Sequence, residues 1–325
     1  MTVSHRQIAE IIPLVKMPRG INFFDYEIPE KLRPQIRPGS FVKIPFKDRI
    51  ISGLVRGLKD SSLFDKIRPL EGLNEAFADF PDWRLELLDW FSNYYHYSLP
   101  SSLRLFVSEP PKSKRRYSLV ESAPKSAMDK KNAKITALAK QVLEKKKEKK
   151  FLLFPCQIEL ERLLYQELCR LVVAQNKQIA ILFPQKFKLT EFFQSLSCEL
   201  RKSAVILYAE SSFSKNEYFK IWQAIQNNEI KIILGTRSAV FAPFANLEML
   251  IVSDSHSEDY KQYDQNPRYE AVNVALKVQE LINCRLILSS LTPRLEDAHL
   301  AKKEKFLSMT LGKSDFPGIK IVNLT

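Results

Sequence analysis

The turn after one buried strand carries carboxylates where a nucleotide-binding protein would carry glycines. The apolar run Phe151–Phe154 predicts the strand, and a helical stretch follows it. In nucleotide-binding proteins with a parallel α/β sheet this turn is rich in glycine, because glycines let backbone N–H groups wrap the phosphates. A lysine and a Ser/Thr complete the site. Here no glycine lies between Gly72 and Gly235, and Glu159 and Glu161 stand in the first helical turn. Carboxylates there complement the positive helix end and repel phosphate, so we expect no triphosphate to bind.

A block of positive charge lies between residues 112 and 150. It holds fourteen Lys and Arg against four Asp and Glu, and the chain as a whole carries +13. Such a block attracts polyanions, with nucleic acid as the first candidate, although many basic tethers do nothing specific. Composition alone leaves these two interpretations about even.

Residues 1–106 predict a small β-barrel closed by one helix. Turn residues separate four short strands, and the apolar spacing after Pro81 is helical. The predicted strands are Ile8–Pro13, Phe23–Ile28, Phe41–Pro45 and Ile50–Leu58.

Residues 151–312 predict a parallel sheet covered by helices on both faces, because buried strands alternate with helical stretches. The predicted strands are Phe151–Phe154, Gln178–Phe183, Ala204–Tyr208, Lys231–Leu234, Met249–Val252 and Arg285–Ser289. The predicted helices are Glu159–Ala174, Leu189–Arg201, Lys215–Asn227 and Glu270–Asn283. Between the two units, residues 107–150 predict a flexible basic linker that is partly helical, from about Lys131 to Lys150.

The composition argues against several classes of protein. Cys156, Cys169, Cys198 and Cys284 lie far apart with no C-x-x-C pair, which argues against a zinc site and against a disulfide framework. No apolar stretch is long enough to span a membrane, and the start lacks the apolar core of a secretory signal. We therefore expect a cytoplasmic protein with reduced, buried thiols, no metal and no membrane partner.

The order of motifs in the second unit resembles a known family. The run Ile233–Phe244 is followed by His256, Tyr260–Gln262 and Pro267–Tyr269, an order similar to the first motor lobe of primosomal protein N-prime, the PriA family of replication-restart DNA helicases. The resemblance covers roughly 1–106 and 151–325. It implies a RecA-like lobe at 151–312, a connector at 313–325 and an amino-terminal domain that binds DNA 3′ ends. The residues that carry this last part are Ile12–Val15, Phe24–Tyr26, Pro38, Gly39, Val42–Phe46, Gly53–Val55, Lys66, Ile67, Tyr94 and Tyr95.

The same resemblance marks positions where this chain departs from the family. The lysine position of the family's phosphate loop aligns with Glu161, and its hydroxyl position aligns with Arg162. The first acidic position of the family's magnesium motif aligns with Ser253, and Asp254 follows it. The chain also stops before the family's second lobe and zinc insertion. We therefore expect a truncated, degenerate member that binds neither ATP nor magnesium and has lost helicase activity.

The resemblance further implies a pocket for a terminal 3′ nucleotide, formed by Phe24, Asp25, Tyr26, Gly39 and Lys66. An aromatic ring stacks on any base for about 1–3 kcal/mol per base. Asp25 is suited to accept hydrogen bonds from the sugar or base, Lys66 to offset phosphate charge, and Gly39 to allow close backbone approach. The alternative is that Phe24 and Tyr26 are core aromatics and Asp25 caps a turn.

Three cations, Arg237, Lys261 and Arg268, are candidates for a DNA path across the lobe, with local salt bridges as an equal alternative. His256 stands at the magnesium motif and is expected to pin the end of a strand.

The leading hypothesis is a DNA-binding protein of replication restart or repair that recognises branched DNA or nascent 3′ ends without hydrolysing ATP. DNA is the expected partner, together with other primosome or replication proteins. A second hypothesis, motivated by the run Gly235–Ser238, is an ATP-dependent 3′–5′ helicase subunit that works with a separate second-lobe chain. A third is an interaction protein that uses the remaining lobe and does not bind DNA.

Overall fold

The computed structural model describes residues 7–18, 20–108, 133–145, 147–207, 214–303 and 305–311. The predicted connector 313–325 and most of the predicted basic linker lie outside these residues. In the part of the chain that is described, no helix is long and apolar enough to cross a membrane.

Five strands form an antiparallel barrel in the amino-terminal unit, in the order β2-β1-β4-β3-β5. They are β1 (Ile8–Pro13), β2 (Phe24–Glu27), β3 (Phe41–Phe46), β4 (Arg49–Lys59) and β5 (Gly72–Leu73). The N–H of Glu27 donates to Arg68 O and the N–H of Leu70 donates to Glu27 O, so the segment before β5 pairs with β2 and closes the sheet. Alternate side chains point inward, and Ile11 and Val55 are part of the resulting core. All four predicted strands are confirmed.

Two helices, α1 (Asp82–Tyr94) and α2 (Leu99–Phe106), complete this unit, so the prediction of one helix is wrong. The recognised apolar spacing belongs to α1, which buries Leu87, Leu88 and Phe91. Helix α2 has eight residues, with Pro100 in its first turn. Proline is tolerated at a helix start, but so short an apolar pattern does not distinguish a helix from a loop.

Seven parallel strands form the second sheet, in the order β12-β6-β11-β10-β7-β9-β8. They are β6 (Lys150–Cys156), β7 (Gln178–Leu182), β8 (Ala204–Leu207), β9 (Ile232–Gly235), β10 (Leu247–Val252), β11 (Arg285–Ser289) and β12 (Leu307–Leu311). The central strands are apolar on both faces because a core covers each face. The predicted α/β class with a parallel sheet is confirmed, and β12 is an edge strand that the sequence did not predict.

Helices cover both faces of this sheet. They are α4 (Ile158–Ala174), α5 (Lys186–Ser195), α6 (Cys198–Lys202), α7 (Lys215–Gln226), α8 (Ala271–Ile282) and α9 (Leu295–Lys302). The predicted helix Leu189–Arg201 is therefore two helices, and the hydroxyl of Ser197 caps the second by accepting from Leu200 N–H. Helix α9 was not predicted.

The helical part of the predicted linker is α3 (Ala133–Glu144), and it packs against α4. Its apolar stripe of Ile135, Ala139 and Val142 is buried in the core of the lobe. This helix therefore belongs to the lobe and is not a free tether.

The cysteines only partly match their predicted environment. Cys169 and Cys284 are buried, as predicted, whereas Cys198 is exposed. Cys198 is the first residue of α6, a one-turn surface helix in which every residue is at least partly exposed. The expectation of buried thiols is therefore wrong for Cys198.

Candidate nucleic-acid interface and nucleotide site

Strand β2 separates its two aromatic rings from the acid between them, because neighbouring side chains of a strand point to opposite faces. Tyr26 points into the barrel, where it is 6% exposed and its hydroxyl donates to Pro45 O at 2.9 Å. Burial raises the pKa of the Tyr26 hydroxyl. Phe24 points the same way at the end of the barrel and packs edge-on against Phe46, with ring centroids 5.8 Å apart. Tyr26 is thus a core aromatic whose ring is not open to a base, which corrects its predicted role as a stacking ring.

Asp25 lies on the outer face of the barrel, and side-chain donors meet both of its oxygens. Its Oδ1 pairs with Lys59 Nζ at 2.8 Å, and the Ser62 hydroxyl donates to Oδ2. Lys59 also pairs with Glu10 at 3.1 Å. The Asp25 side chain is only 5% exposed, so a ligand that reaches it must displace one of these donors. Among the described residues, the contacts of the Asp25 carboxylate are with side chains and do not cap a turn.

The loop after β4 carries exposed apolar side chains next to Asp25. The N–H of Phe64 donates to Ser62 Oγ at 3.1 Å, which fixes the loop around the hydroxyl that contacts Asp25. The side chains of Leu63 and Phe64 are 99% and 67% exposed. Lys66 is exposed on the same loop. Sequence reasoning missed Phe64, although the pair of apolar residues between Ser62 and Asp65 is a visible signal.

Gly39 is required by the chain itself. Its φ is +93°, and a Cβ there would lie 2.2 Å from the carbonyl oxygen of Phe80. The N–H of Gly39 donates to Val55 O at 2.8 Å, and Gly39 O accepts from Phe80 N–H at 2.9 Å. Gly39 therefore joins β4 to the segment just before α1.

In the lobe, Glu161 fills the turn that was predicted to exclude a nucleotide. It lies in the first turn of α4, and its Oε1 accepts hydrogen bonds from Tyr165 at 2.5 Å, Ser253 at 3.1 Å and Ser289. These donors come from the helix itself, from the end of β10 and from β11, so one carboxylate ties three elements together. Burial raises the pKa of the Glu161 carboxyl, against the opposing effect of the three hydroxyls.

Two other residues of the predicted nucleotide site also have ion-pair partners within the lobe. Asp254 Oδ2 pairs with Lys188 Nζ at 2.6 Å, and Arg162 pairs with Glu191 at 3.4 Å. Ser253 points to Glu161 while Asp254, which has a φ of 49° in the turn after β10, points to Lys188. Glu159 is exposed at the start of α4. His256 Nδ1 lies 2.7 Å from the hydroxyl of Ser290, so His256 joins the ends of β10 and β11, the role expected of it.

The three cations of the predicted DNA path differ in their contacts. Arg237 donates to Gln262 at 3.3 Å and lies 3.8 Å from Asp264. Lys261 lies 4.0 Å from Glu258. Arg268 has an exposed side chain, while its backbone N–H donates to Tyr97 Oη at 2.9 Å. Local pairs therefore occupy two of the three cations.

The motif runs that carry the family resemblance build the junction between the barrel unit and the lobe. Phe241 and Tyr269 pack against Phe91 of α1, with ring centroids 5.4 and 5.8 Å away. The hydroxyl of Tyr95 donates to Glu270 O and accepts from Glu270 N–H, both at 3.2 Å. These runs, 233–244 and 267–269, thus have a structural role that needs no nucleotide.

Arg84 lies at the centre of this junction and was missed from the sequence. It is 2% exposed and lies over the ring of Phe80, with 4.0 Å between the guanidinium carbon and the ring centroid. It donates to Phe106 O and, at 3.4 Å, to Phe241 O across the junction. Burial lowers the pKa of the Arg84 guanidinium to about 9.

Residues 14–108 match a family model described as 3'DNA-binding domain (3'BD). This range begins just after β1 and ends just after α2. The match therefore covers four of the barrel strands and both of its helices.

The chain is also similar to curated proteins named replication restart protein PriA. The one from Rickettsia prowazekii is 27% identical over 315 residues, which cover 93% of this chain and 46% of the relative. The one from Chlamydia muridarum is 26% identical and covers 95% of this chain and 52% of the relative. The one from Bacillus subtilis is 30% identical over 53% of this chain and 21% of the relative. The chain thus spans about half the length of the relatives that it matches along most of its residues.

Among solved structures, the Hef helicase domain of Pyrococcus furiosus is a weak match. It covers 58% of this chain and 40% of its own, at 12% sequence identity and a TM-score of 0.37.

Proposed function

We propose that this PriA-type chain binds branched DNA or nascent 3′ ends in the cytoplasm, in replication restart or repair, and does so without hydrolysing ATP. The observation that carries the proposal is the match of residues 14–108 to a 3′ DNA-binding domain, next to a nucleotide turn in which Glu161 is bonded to three hydroxyls of its own chain. The net charge of +13 supports attraction to DNA.

The chemistry around Asp25 supports recognition of a terminal sugar. A hydroxyl, that of Ser62, already donates to Asp25 Oδ2, and the 3′ hydroxyl of a terminal nucleotide is the same kind of donor. Lys59 lies 2.8 Å from Asp25 Oδ1, so a cation is near the backbone phosphate on the 5′ side of the terminal nucleotide, whereas a 3′-phosphate would face the Asp25 carboxylate itself. Exposed Phe64 offers the stacking face that buried Tyr26 does not, and Lys66 stands on the same loop.

The loss of nucleotide binding is proposed from the occupants of the turn after β6. A triphosphate there would lie against the Glu161 carboxylate and would have to displace its three hydroxyl donors. Phosphate and carboxylate repel each other, and the glycines that would expose backbone N–H groups are missing. Asp254 follows Ser253, which stands where the family has its first magnesium-binding acid. Asp254 is likewise engaged, because it pairs with Lys188.

The proposal is tested by fluorescence anisotropy with two forked DNAs that differ only in a 3′-hydroxyl or a 3′-phosphate. We expect tighter binding of the hydroxyl form and a steep loss of affinity with salt. Asp25→Asn should abolish the preference, whereas Asp65→Asn, an exposed acid on the same loop, should keep it. Equal, salt-insensitive affinity for both forks would count against the proposal.

The alternative of a helicase subunit completed by another chain is less well supported. It was motivated by the run Gly235–Ser238, but a Cβ at Gly235 would lie 2.2 Å from Ala239 Cβ and 2.5 Å from Leu207 O. Packing alone therefore requires this glycine. ATP turnover that appears on addition of a partner protein would favour the helicase subunit.

A further inference from the structure

A cleft of about 760 Å³ opens at one end of the barrel. Strand β1 ends at Pro13 and β3 ends at Phe46, while β2 begins at Phe24 and β4 begins at Arg49. In an antiparallel sheet these four positions share one end, so the cleft is the mouth of the barrel. Ligand sites of roughly 300–1,000 Å³ are common in such mouths.

The walls of the cleft are apolar and include two aromatic rings. Val15, Met17, Ile21, Phe24 and Phe46 line it, and all five are only partly buried. The rings of Phe24 and Phe46 meet at 63°. An angled ring pair on an apolar wall suits a flat, weakly polar group.

The rim of the cleft is basic. Lys16, Lys47 and Arg49 are exposed there against one acid, Asp48. Among the described residues, no ion pair engages these three cations. A group bound on the apolar wall would therefore have positive charge on its solvent side, which suits an anion attached to it.

We propose that the mouth of the barrel takes one unpaired nucleotide of single-stranded DNA. The base lies on Phe24 and Phe46, and the flanking phosphates meet Lys16, Lys47 and Arg49. A nucleotide combines a flat base with phosphates that stay in solvent, and stacking on aromatic rings tolerates any base. A neutral acyl chain would leave the cations without a partner, and a free phosphate would leave the rings without one.

This site is separate from Asp25, which lies on the outer face of the same strand. The inference rests on the proposed function, because it assumes that the barrel unit meets DNA. It adds a second contact with DNA. A strand end would bind near Asp25, and an unpaired base would bind independently in the mouth.

The test compares a blunt duplex with the same duplex carrying a short unpaired tail. The double variant Lys47→Asn and Arg49→Gln removes two rim cations, with asparagine chosen because residue 47 has a φ of 53°. The matched control, Lys31→Gln and Lys43→Gln, removes two exposed barrel cations outside the lining of the cleft. We expect the rim variant to lower the salt slope for tailed DNA by about 2 relative to the control, with blunt DNA unaffected.

The aromatic wall is tested with Phe46→Leu, which keeps an apolar side chain but removes the ring. It should weaken tailed-DNA binding by about 5-fold or more, since stacking on one ring is worth about 5- to 150-fold per base. Phe46→Tyr keeps the ring and should restore binding. Circular dichroism melting of each variant shows whether the barrel still folds.

Two results would overturn the inference. One is an equal loss for blunt and tailed DNA in the rim variant, and the other is unchanged tailed-DNA binding in both the rim and the Phe46→Leu variants. Titration of a phosphorylated thymidine dinucleotide separates this inference from the proposed function. If the unaltered chain binds the dinucleotide and the rim variant does not, the cleft is supported even where forked DNA fails to bind.

Discussion

The turn after β6, which holds Glu161, lies in the lobe, and the mouth of the barrel lies in the amino-terminal unit. The charged groups of these two regions have different surroundings. In the turn, the Glu161 carboxylate accepts hydrogen bonds from Tyr165, Ser253 and Ser289. In the mouth, the cations of the rim are exposed beside an apolar wall. Buried polar groups without partners are costly, and the internal partners of Glu161 are what the proposed loss of nucleotide binding requires. The proposed site in the mouth instead keeps cations that a ligand can pair with.

The largest expected effect concerns Arg84, which connects the two units. Arg84→Ala leaves the carbonyls of Phe106 and Phe241 without this donor in a buried junction and removes a side chain packed on Phe80. We expect a loss of about 3 kcal/mol in the free energy of unfolding, measured by urea denaturation. Arg104→Ala, on the exposed side of α2, should cost less than about 0.5 kcal/mol. Similar values for both would mean that the units are not coupled through Arg84.

Glu161→Ala tests whether the nucleotide turn is held by its own chain. Three hydroxyls would lose their shared acceptor, so we expect a loss of about 1–3 kcal/mol in the free energy of unfolding. Glu159→Ala in the same helical turn removes an exposed carboxylate and should cost less than about 0.5 kcal/mol. ATP with magnesium should not shift the melting temperature of any of these proteins. A shift in the Glu161→Ala variant alone would show that the carboxylate is what excludes the nucleotide.

The pH dependence of stability gives a finer test of the same carboxylate. Burial raises the pKa of Glu161 in the folded state, so the folded protein holds this proton at pH values where the unfolded chain has released it. The free energy of unfolding should therefore fall as pH rises from the ordinary glutamate pKa through the raised one. Glu161→Gln has no proton to release and should lose that part of the slope. An unchanged slope in urea denaturation series at several pH values would contradict the raised pKa.

The smallest expected effect concerns the pair of Lys188 and Asp254, whose side chains are 37% and 18% exposed. Lys188→Met should cost about 0.2–1 kcal/mol, as for other partly exposed ion pairs. Magnesium should not stabilise the unaltered protein in thermal melts. If magnesium stabilised only Lys188→Met, Asp254 would be a metal ligand that the lysine masks, and the contrast between the two units would weaken.

Local patterns predicted most of the regular structure. All four long barrel strands and all six lobe strands that were predicted exist, because their apolar runs have the length and periodicity that a sheet requires. Helices α2 and α9 have eight residues each, and such short elements depend on tertiary contacts more than on their own periodicity. The stripe of α3 was visible, but only the folded lobe shows that it packs against α4.

At the candidate sites, the residue types were more predictable than their directions. The motif Phe24–Tyr26 drew attention to β2, but the pleat of the strand buries Tyr26 and turns Asp25 to the outer face. Strand alternation alone separates these side chains; which side is the interior depends on how the barrel closes. The glycine at position 39 was noticed for ligand access, and its actual neighbour is the backbone of Phe80.

The amino-acid sequence by itself determined that the turn after β6 carries carboxylates and lacks glycine, because these are properties of the residue types. It also determined the parallel sheet, since buried strands that alternate with helices have few other arrangements. Only the tertiary structure decided which hydroxyls meet Glu161, that Arg84 joins the two units, and that Phe24, Phe46 and three cations share one cleft. These groups lie far apart along the chain, and their meeting depends on sheet order and barrel closure, which no local pattern encodes.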